Sequence, residues 1–229
     1  MANKGETKCL KITNTNAISG VDKTRRFTYK QKAGKHTKKT SISIGYILKD
    51  LLNIADNNRE IKYIIDNRYI VVDKKLVKDH KLPVGLFDII EIPKMDKYYK
   101  VDYAVNGAYV LKEITKEETK YKICKIVAKK LVEKGSAQLV TNDGRTIITT
   151  NLAYKPKASI KLDLEENTIQ EYYPLEKGRD IFVIGGKHIG LSAKIEDITP
   201  GTMQRQTLIK AKEKGIDFET TEKNVIVIN

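Results

Sequence analysis

The stretch DIFVIGGKHIG, residues 180–190, gathers the groups of this chain best placed to do chemistry. Four apolar residues, Ile181 to Ile184, run into Gly185 and Gly186, then Lys187, His188 and finally Gly190. Glycines offer bare backbone N–H groups at close range and the lysine adds positive charge, a combination suited to an anion. A Walker loop would need Gly-x-x-x-x-Gly-Lys followed by Ser or Thr, whereas Gly190 is followed by Leu191 and Ser192. A dinucleotide fingerprint would need a helix directly after the glycines, whereas LSAKIEDI alternates like a strand. The stretch is therefore read as a β-hairpin loop whose main chain, through Gly185, Gly186 and Gly190, can approach a phosphate closely, with Lys187 supplying charge. The competing reading is an ordinary tight turn.

No other positioned set offers catalysis. His36 lies in a basic segment, His80 in a hairpin loop and His188 in the loop just described, and none follows a metal-ligand spacing. There is no Gly-x-Ser-x-Gly elbow. Cys9 and Cys124 are far apart with no further cysteine, which suggests neither a disulfide framework nor a zinc site. Cys124, inside the alternating YKICKIV, reads as a small core residue. No cofactor, metal or small-molecule substrate is expected.

Charge points the same way as the loop. The chain carries 43 Lys and Arg against 29 Asp and Glu, a net +14, which suits a polyanionic partner. The excess is uneven: residues 1–40 hold eleven basic and two acidic residues. That segment has too few periodic apolar residues to fold alone, so an arm is expected that is extended in isolation and ordered on a partner. Its candidate nucleic-acid contacts are Lys4, Lys8, Lys11, Lys23, Arg25 and Arg26, followed by Lys30, Lys32, Lys35, His36, Lys38 and Lys39. No apolar run approaches the roughly 20 residues of a membrane helix, and MANKGETKCLKITN lacks the apolar block of a secretory signal. The expected location is cytoplasmic, with no membrane partner.

These residues need elements to position them. Ile44, Ile47, Leu48, Leu51 and Leu52 fall on one helical face, and a second helix places Ile61, Ile64 and Ile65 inward. Asn57 followed by Glu60 predicts its start, and Asp66-Asn67 its stop. YIVVDKKLVKDH predicts two short strands about an Asp73-Lys74 turn, and LPVGLFDIIEI a turn and a strand. Beyond Lys97 the period is two: a hairpin turning at Asn106-Gly107, then YKICKIVAKKLV, AQLVTNDGRTIIT, SIKLDL and TIQEYYPL. The expected fold class is α+β, mostly β. Its parts are a basic arm at 1–42, a helix-helix-hairpin module at 43–93, a central small β barrel or rolled sheet at 94–173, and a last small β barrel at 174–229.

Two stretches resemble known RNA-binding units. KGRDIFVIGGKHIGLSAKI resembles a KOW motif, a short β segment of ribosomal and transcription-elongation proteins that contacts RNA through its loop. NNREIKYIIDNRYIVVDKKLVKD resembles the S4-type RNA-binding domain, whose second helix and following hairpin form a basic face; here Arg59, Lys62, Arg68, Lys74, Lys75 and Lys78 could supply it. With the basic arm, LPVGLFDIIEI, KYKICKI, TNDGRTI and YPLEKGRDIFVIGGKHIG in order, the chain from about residue 5 is similar to the archaeal and eukaryotic small-subunit ribosomal protein S4e family, in its shorter archaeal form. Arg179 of the KOW-like segment joins the candidate contacts. The chain departs from the family pattern where Arg68, Lys74 and Ala193 replace glycines, and its arm lacks a tryptophan and a Pro-Gly-Pro-His run, although AGKH keeps Gly34 and His36 in register. These departures imply the same scaffold with looser turns.

The resemblance implies a non-enzymatic, ribosome-bound constituent of the small subunit that binds ribosomal RNA, with neighbouring small-subunit proteins as further partners and with subunit assembly and translation as its context. Lysine outnumbers arginine, which favours point-charge contacts to phosphate over bidentate base reading. Two rivals remain. One is an RNA-modifying enzyme of pseudouridine-synthase type, which would need a catalytic Asp; Asp143 in TNDGRTI reads instead as a turn residue. The other is a KOW transcription-elongation factor, which would carry a different α+β domain ahead of the KOW segment.

Overall fold

The computed structural model of the chain describes residues 9–10, 27–132, 135–202, 205–213 and 215–229. It is α+β and mostly β, built from several small sheets. Contacts divide it into two compact units: residues through Asp102 with Gly107–Thr119, and Tyr103–Asn106 with Lys120–Asn229.

In the first unit β1 (Cys9–Leu10) pairs with β2 (Phe27–Thr28). β3 (Ser41–Ser43) leads into α1 (Ile44–Tyr46), where the Ser43 hydroxyl accepts from the Tyr46 N–H at 3.3 Å. The sequence predicts one regular helix on to Leu52. Instead Ile47–Leu51 wind as a π-helix, with the Leu52 N–H donating five residues back to the Ile47 carbonyl. The wider turn changes the angular spacing, so Ile44, Ile47 and Leu48 are buried while Leu51 and Leu52 are only half-buried. Gly45 fixes the start: its N–H donates to the His80 carbonyl at 2.9 Å, an approach that leaves little room for a side chain.

α2 (Asn58–Asp66) begins where Asn57 and Glu60 predict. The Asn57 Oδ1 accepts from the N–H groups of Arg59 and Glu60, and the Glu60 carboxylate reaches back to the Asp56 N–H at 2.8 Å. Ile61 and Ile65 are buried and Ile64 is half-buried. The helix ends in a Schellman turn, Tyr69 N–H to Ile64 carbonyl and Arg68 N–H to Ile65 carbonyl, with Arg68 at φ 57° where glycine would be easy.

β4 (Val71–Val72) and β5 (Lys75–Leu76) flank the expected two-residue turn, and β6 (Pro83–Gly85) pairs with β3. β7 (Ile89–Ile92), β8 (Lys97–Tyr103) and β9 (Tyr109–Glu113) complete a sheet ordered β5-β4-β7-β8-β9. The boundary expected near residue 93 thus falls inside this sheet. The β4–β5 turn is not loose. Asp73 and Lys74 both have positive φ, 48° and 61°, but the Asp73 carboxylate is fully buried and held by the Ile89 N–H at 3.0 Å and Lys35 Nζ at 2.8 Å. Those bonds offset the roughly 1–2 kcal/mol per residue of left-handed backbone.

In the second unit β10 (Tyr121–Val132) serves two partners. Its first half pairs with β13 (Ser159–Asp163), its second half with β11 (Ser136–Thr141), and a register shift between Ile126 and Ala128 bends it from one to the other. With β12 (Thr146–Thr149) and β14 (Ile169–Tyr173) the order is β12-β11-β10-β13-β14, over a core that includes Cys124, Ile126, Leu139, Ile160 and Leu162.

A second antiparallel sheet follows, ordered β18-β17-β16-β15-β19, from β15 (Asp180–Val183), β16 (Ser192–Thr199), β17 (Leu208–Glu213), β18 (Ile216–Thr221) and β19 (Val225–Val227). Its core joins Ile181, Val183, Ile195, Ile209, Phe218, Val225 and Val227. The two sheets are bolted together within this unit. Val227 N–H donates to the Ser159 hydroxyl at 2.9 Å, and Lys125 Nζ donates to the carbonyls of Glu222, Lys223 and Val225.

Candidate nucleic-acid interface

A cation is useful to a polyanion only if the protein leaves it unneutralised, so each candidate is characterised by its partners. Lys4, Lys8, Lys11, Lys23, Arg25 and Arg26 lie outside the described residues. In the described part of the arm the polar groups are drawn onto the first unit. Lys32 pairs with Asp79 at 2.5 Å, Lys35 with Asp73 at 2.8 Å, and His36 Nε2 lies 3.0 Å from the Asp88 carboxylate, which also accepts from the Gly85 N–H. The His36 and Asp88 side chains are both buried. The Tyr29 hydroxyl bonds Asn58, its ring meets His80 edge-on at 5.8 Å, and the Lys32 N–H donates to the Lys81 carbonyl. This stretch therefore acts as part of the module's fold, and Lys35 and His36 serve as struts. Lys38 and Lys39 stay exposed on a 3-10 turn, while Lys30 is half-buried.

The helix and hairpin present cations differently. Arg59 and Lys62 on α2, Arg68 at its end, and Lys75 and Lys78 of the hairpin region are exposed, and among the described residues none of them has a side-chain ion pair. Lys74 is the exception: its Nζ pairs with Glu91 at 3.0 Å and donates to the Thr119 hydroxyl at 3.1 Å. The sequence reading omitted Tyr63, which stands on the outer face of α2, 65% exposed. Its position one helical turn after Arg59 and opposite Ile61 and Ile65 was the available signal.

The glycine-rich loop joins β15 to β16 as an antiparallel hairpin. Each of its glycines has an internal reason. A side chain on Gly185 would meet the Asn224 amide at 2.9 Å, Gly186 has φ 90°, and a side chain on Gly190 would collide with the Ala104 carbonyl at 2.3 Å. His188 is half-buried and stacks on Phe218, ring centroids 4.6 Å apart. Arg179 is half-buried, its carbonyl accepting from the Ile195 N–H. Lys187 is the exposed cation of the loop.

Elsewhere in the second unit lysines face acids across the strands. Lys177 pairs with Asp197 at 2.6 Å, Lys210 with Glu219 at 3.5 Å, and Lys212 with Glu196 and Asp217 at 3.4 and 3.5 Å. Lys210 and Lys212 of the C-terminal sheet are thereby matched, whereas Lys194 of β16 is exposed without an ion pair among the described residues. Asp143 is buried in the turn after β11. Its carboxylate lies 3.2 Å from Lys122 Nζ and 3.0 Å from Arg145 Nε, and accepts from the Thr141 hydroxyl and the Arg145 N–H. Burial would raise its pKa, but Lys122, the Thr141 hydrogen bond and Arg145 outweigh it and hold the carboxyl down to about 2. A carboxylate so held is a structural anion and a poor nucleophile, which disfavours the pseudouridine-synthase reading. Lys125 shows the converse: burial pushes its ammonium down to about 8. Among the described residues no His, Cys, Asp or Glu cluster could hold a metal, and no helix is long and apolar enough to cross a membrane.

Unneutralised, exposed cations on one helix and hairpin can bind phosphate oxygens, and nothing described is arranged for bond-making chemistry. Comparison with known proteins finds ribosomal relatives. The profile described as Ribosomal family S4e matches residues 95–169. The chain is 35% identical over 199 residues to the small ribosomal subunit protein eS4 of Nanoarchaeum equitans, covering 87% of this chain and 85% of that protein. It is 34% identical over 230 residues to the eS4 protein of Methanosphaera stadtmanae, covering 100% and 95%. The crystal structure of the 30S ribosomal protein S4e from Thermoplasma acidophilum superposes with a TM-score of 0.72 at 30% identity, over 82% of this chain and 95% of that one.

Proposed function

The chain belongs to the ribosomal S4e family, and from that membership we propose that it is a structural constituent of the small ribosomal subunit that binds ribosomal RNA mainly through the phosphate backbone, without catalysis of its own. In this reading residues 43–93 work as an S4-type RNA-binding domain, the basic arm is ordered on the particle, and the hairpin loop at 185–190 is a KOW loop whose Lys187 adds a phosphate contact. Neighbouring small-subunit proteins are the remaining partners, and the ribosome-bound state is cytoplasmic.

The observation that carries this reading is the contrast in neutralisation. Among the described residues Arg59, Lys62, Arg68, Lys75 and Lys78 are exposed without ion pairs, while Lys210 and Lys212 of the C-terminal sheet are matched by acids. Desolvating a matched pair gains little, whereas an unmatched cation releases a condensed counterion when it meets phosphate. A fluorescence titration of the protein on small-subunit RNA should therefore lose affinity steeply, linearly in log–log form, as salt rises. Binding insensitive to salt would refute it.

A further inference from the structure

Several aromatic rings in the described residues are occupied by the protein itself. Tyr69 lies under Lys94 at 4.2 Å, Phe87 under Lys100 at 4.5 Å and Tyr121 under Lys161 at 5.1 Å. Tyr154 meets Tyr172 edge-on, Phe218 stacks with His188, and Tyr29 meets His80. Tyr63 differs: at 65% exposure it is the most exposed aromatic among the described residues, and its ring has no partner there.

Its setting is charged in an ordered way. On α2, Arg59 stands one turn before Tyr63 on the same stripe, and Lys62 is beside it. Lys62 also lies close enough to His80 for its charge to contribute to lowering that histidine's pKa, after burial and alongside Lys81 and Lys32. Glu60, the acid nearest the helix start, is folded back onto Asp56 and Asn57 as a cap. Asp66, near the other end of the stripe, is the acid that remains. Arg59 and Lys62 thus flank the ring on its N-terminal side and Asp66 on its C-terminal side, with the Arg68 cation just beyond the helix end. A polyanion crossing this face is drawn to Arg59 and Lys62 and kept off Asp66, which leaves the ring at the edge of the phosphate path, where a base would project.

We propose that Tyr63 is a stacking platform for an unpaired base of the bound RNA, with Arg59 and Lys62 holding the adjoining phosphates. The proposal rests on the phosphate-binding reading above and adds a second mode to it, because stacking neutralises no charge and so leaves the salt dependence alone. The experiment compares Tyr63→Ala, Tyr63→Leu, Tyr63→Phe and Lys62→Ala with wild type on small-subunit RNA across a salt series, with circular dichroism confirming that α2 persists. Tyr63→Ala and Tyr63→Leu should each weaken binding about tenfold at an unchanged log–log slope, and Tyr63→Phe should stay within about twofold. Lys62→Ala should weaken binding and flatten the slope. Wild-type affinity in Tyr63→Ala, alongside salt-dependent wild-type binding, would overturn the stacking proposal alone. Wild-type affinity in Tyr63→Leu would replace the base with an apolar contact and overturn it too. Salt-insensitive wild-type binding would instead sink the phosphate reading on which it rests.

Discussion

Two residues show how charge is assigned here, one to the fold and one to the surface. Asp143 is buried against Lys122 and Arg145, and its pKa is depressed from 3.8 to about 2. A carboxyl depressed on folding contributes stability that is complete above the unfolded value and disappears as pH falls through the folded one. The contribution is about 2 kcal/mol at neutral pH, at 1.36 kcal/mol per unit. Urea unfolding should find Asp143→Asn less stable at pH 7, with the gap to wild type narrowing between about pH 4 and pH 2 as the wild-type carboxyl protonates; a constant gap would contradict the ion pairing. Arg68 is the opposite case, an exposed cation on left-handed backbone where glycine is easier. Arg68→Gly should stabilise the protein by about 1 kcal/mol, seen as a higher melting temperature, while weakening RNA binding and its salt slope. A variant that gains stability and keeps full affinity would show that Arg68 faces away from the RNA.

At the scale of elements the alternation patterns are faithful guides, and the misses come from interactions between distant segments. α2 was legible because its cap and its apolar spacing are local: Asn57, Glu60, Ile61 and Ile65 sit within one element. The π-turn at Ile47–Leu51 was not, since the contact that anchors the start of its helix, Gly45 against the His80 carbonyl, lies 35 residues away. The Asp73-Lys74 turn looked loose because its stiffeners, Lys35 and the Ile89 N–H, lie 38 and 16 residues away. Lys35 and His36 read as available RNA contacts for the same reason. In YKICKI a signal was present: Lys122 shares the strand face of Cys124 and Ile126, so its burial with a partner was readable from parity alone. Lys125, beside the register shift, bolts the central sheet to the C-terminal one through three carbonyls. Lys125→Met should keep the hydrophobic stem, orphan those carbonyls and cost about 1–3 kcal/mol, with β19 losing amide-exchange protection before β13. Equal protection of both strands would argue against the bolt.

Over the whole molecule the net charge of +14 is far from uniform in what it can do. Matched pairs on the C-terminal sheet and the ion pairs of the arm occupy some of the 43 basic residues, and the unmatched ones include the exposed cations of α2 and the following hairpin region. The account therefore claims that affinity for ribosomal RNA tracks the unneutralised cations rather than the total. The most direct test is the salt dependence of binding for a variant with Arg59, Lys62, Lys75 and Lys78 changed to Ala, beside one with Lys177, Lys210 and Lys212 changed to Ala. The account predicts that the first variant loses roughly 0.7–0.9 from the log–log slope for each phosphate contact removed, while the second keeps the wild-type slope. Equal losses from the two variants, or a larger loss from the second, would contradict it.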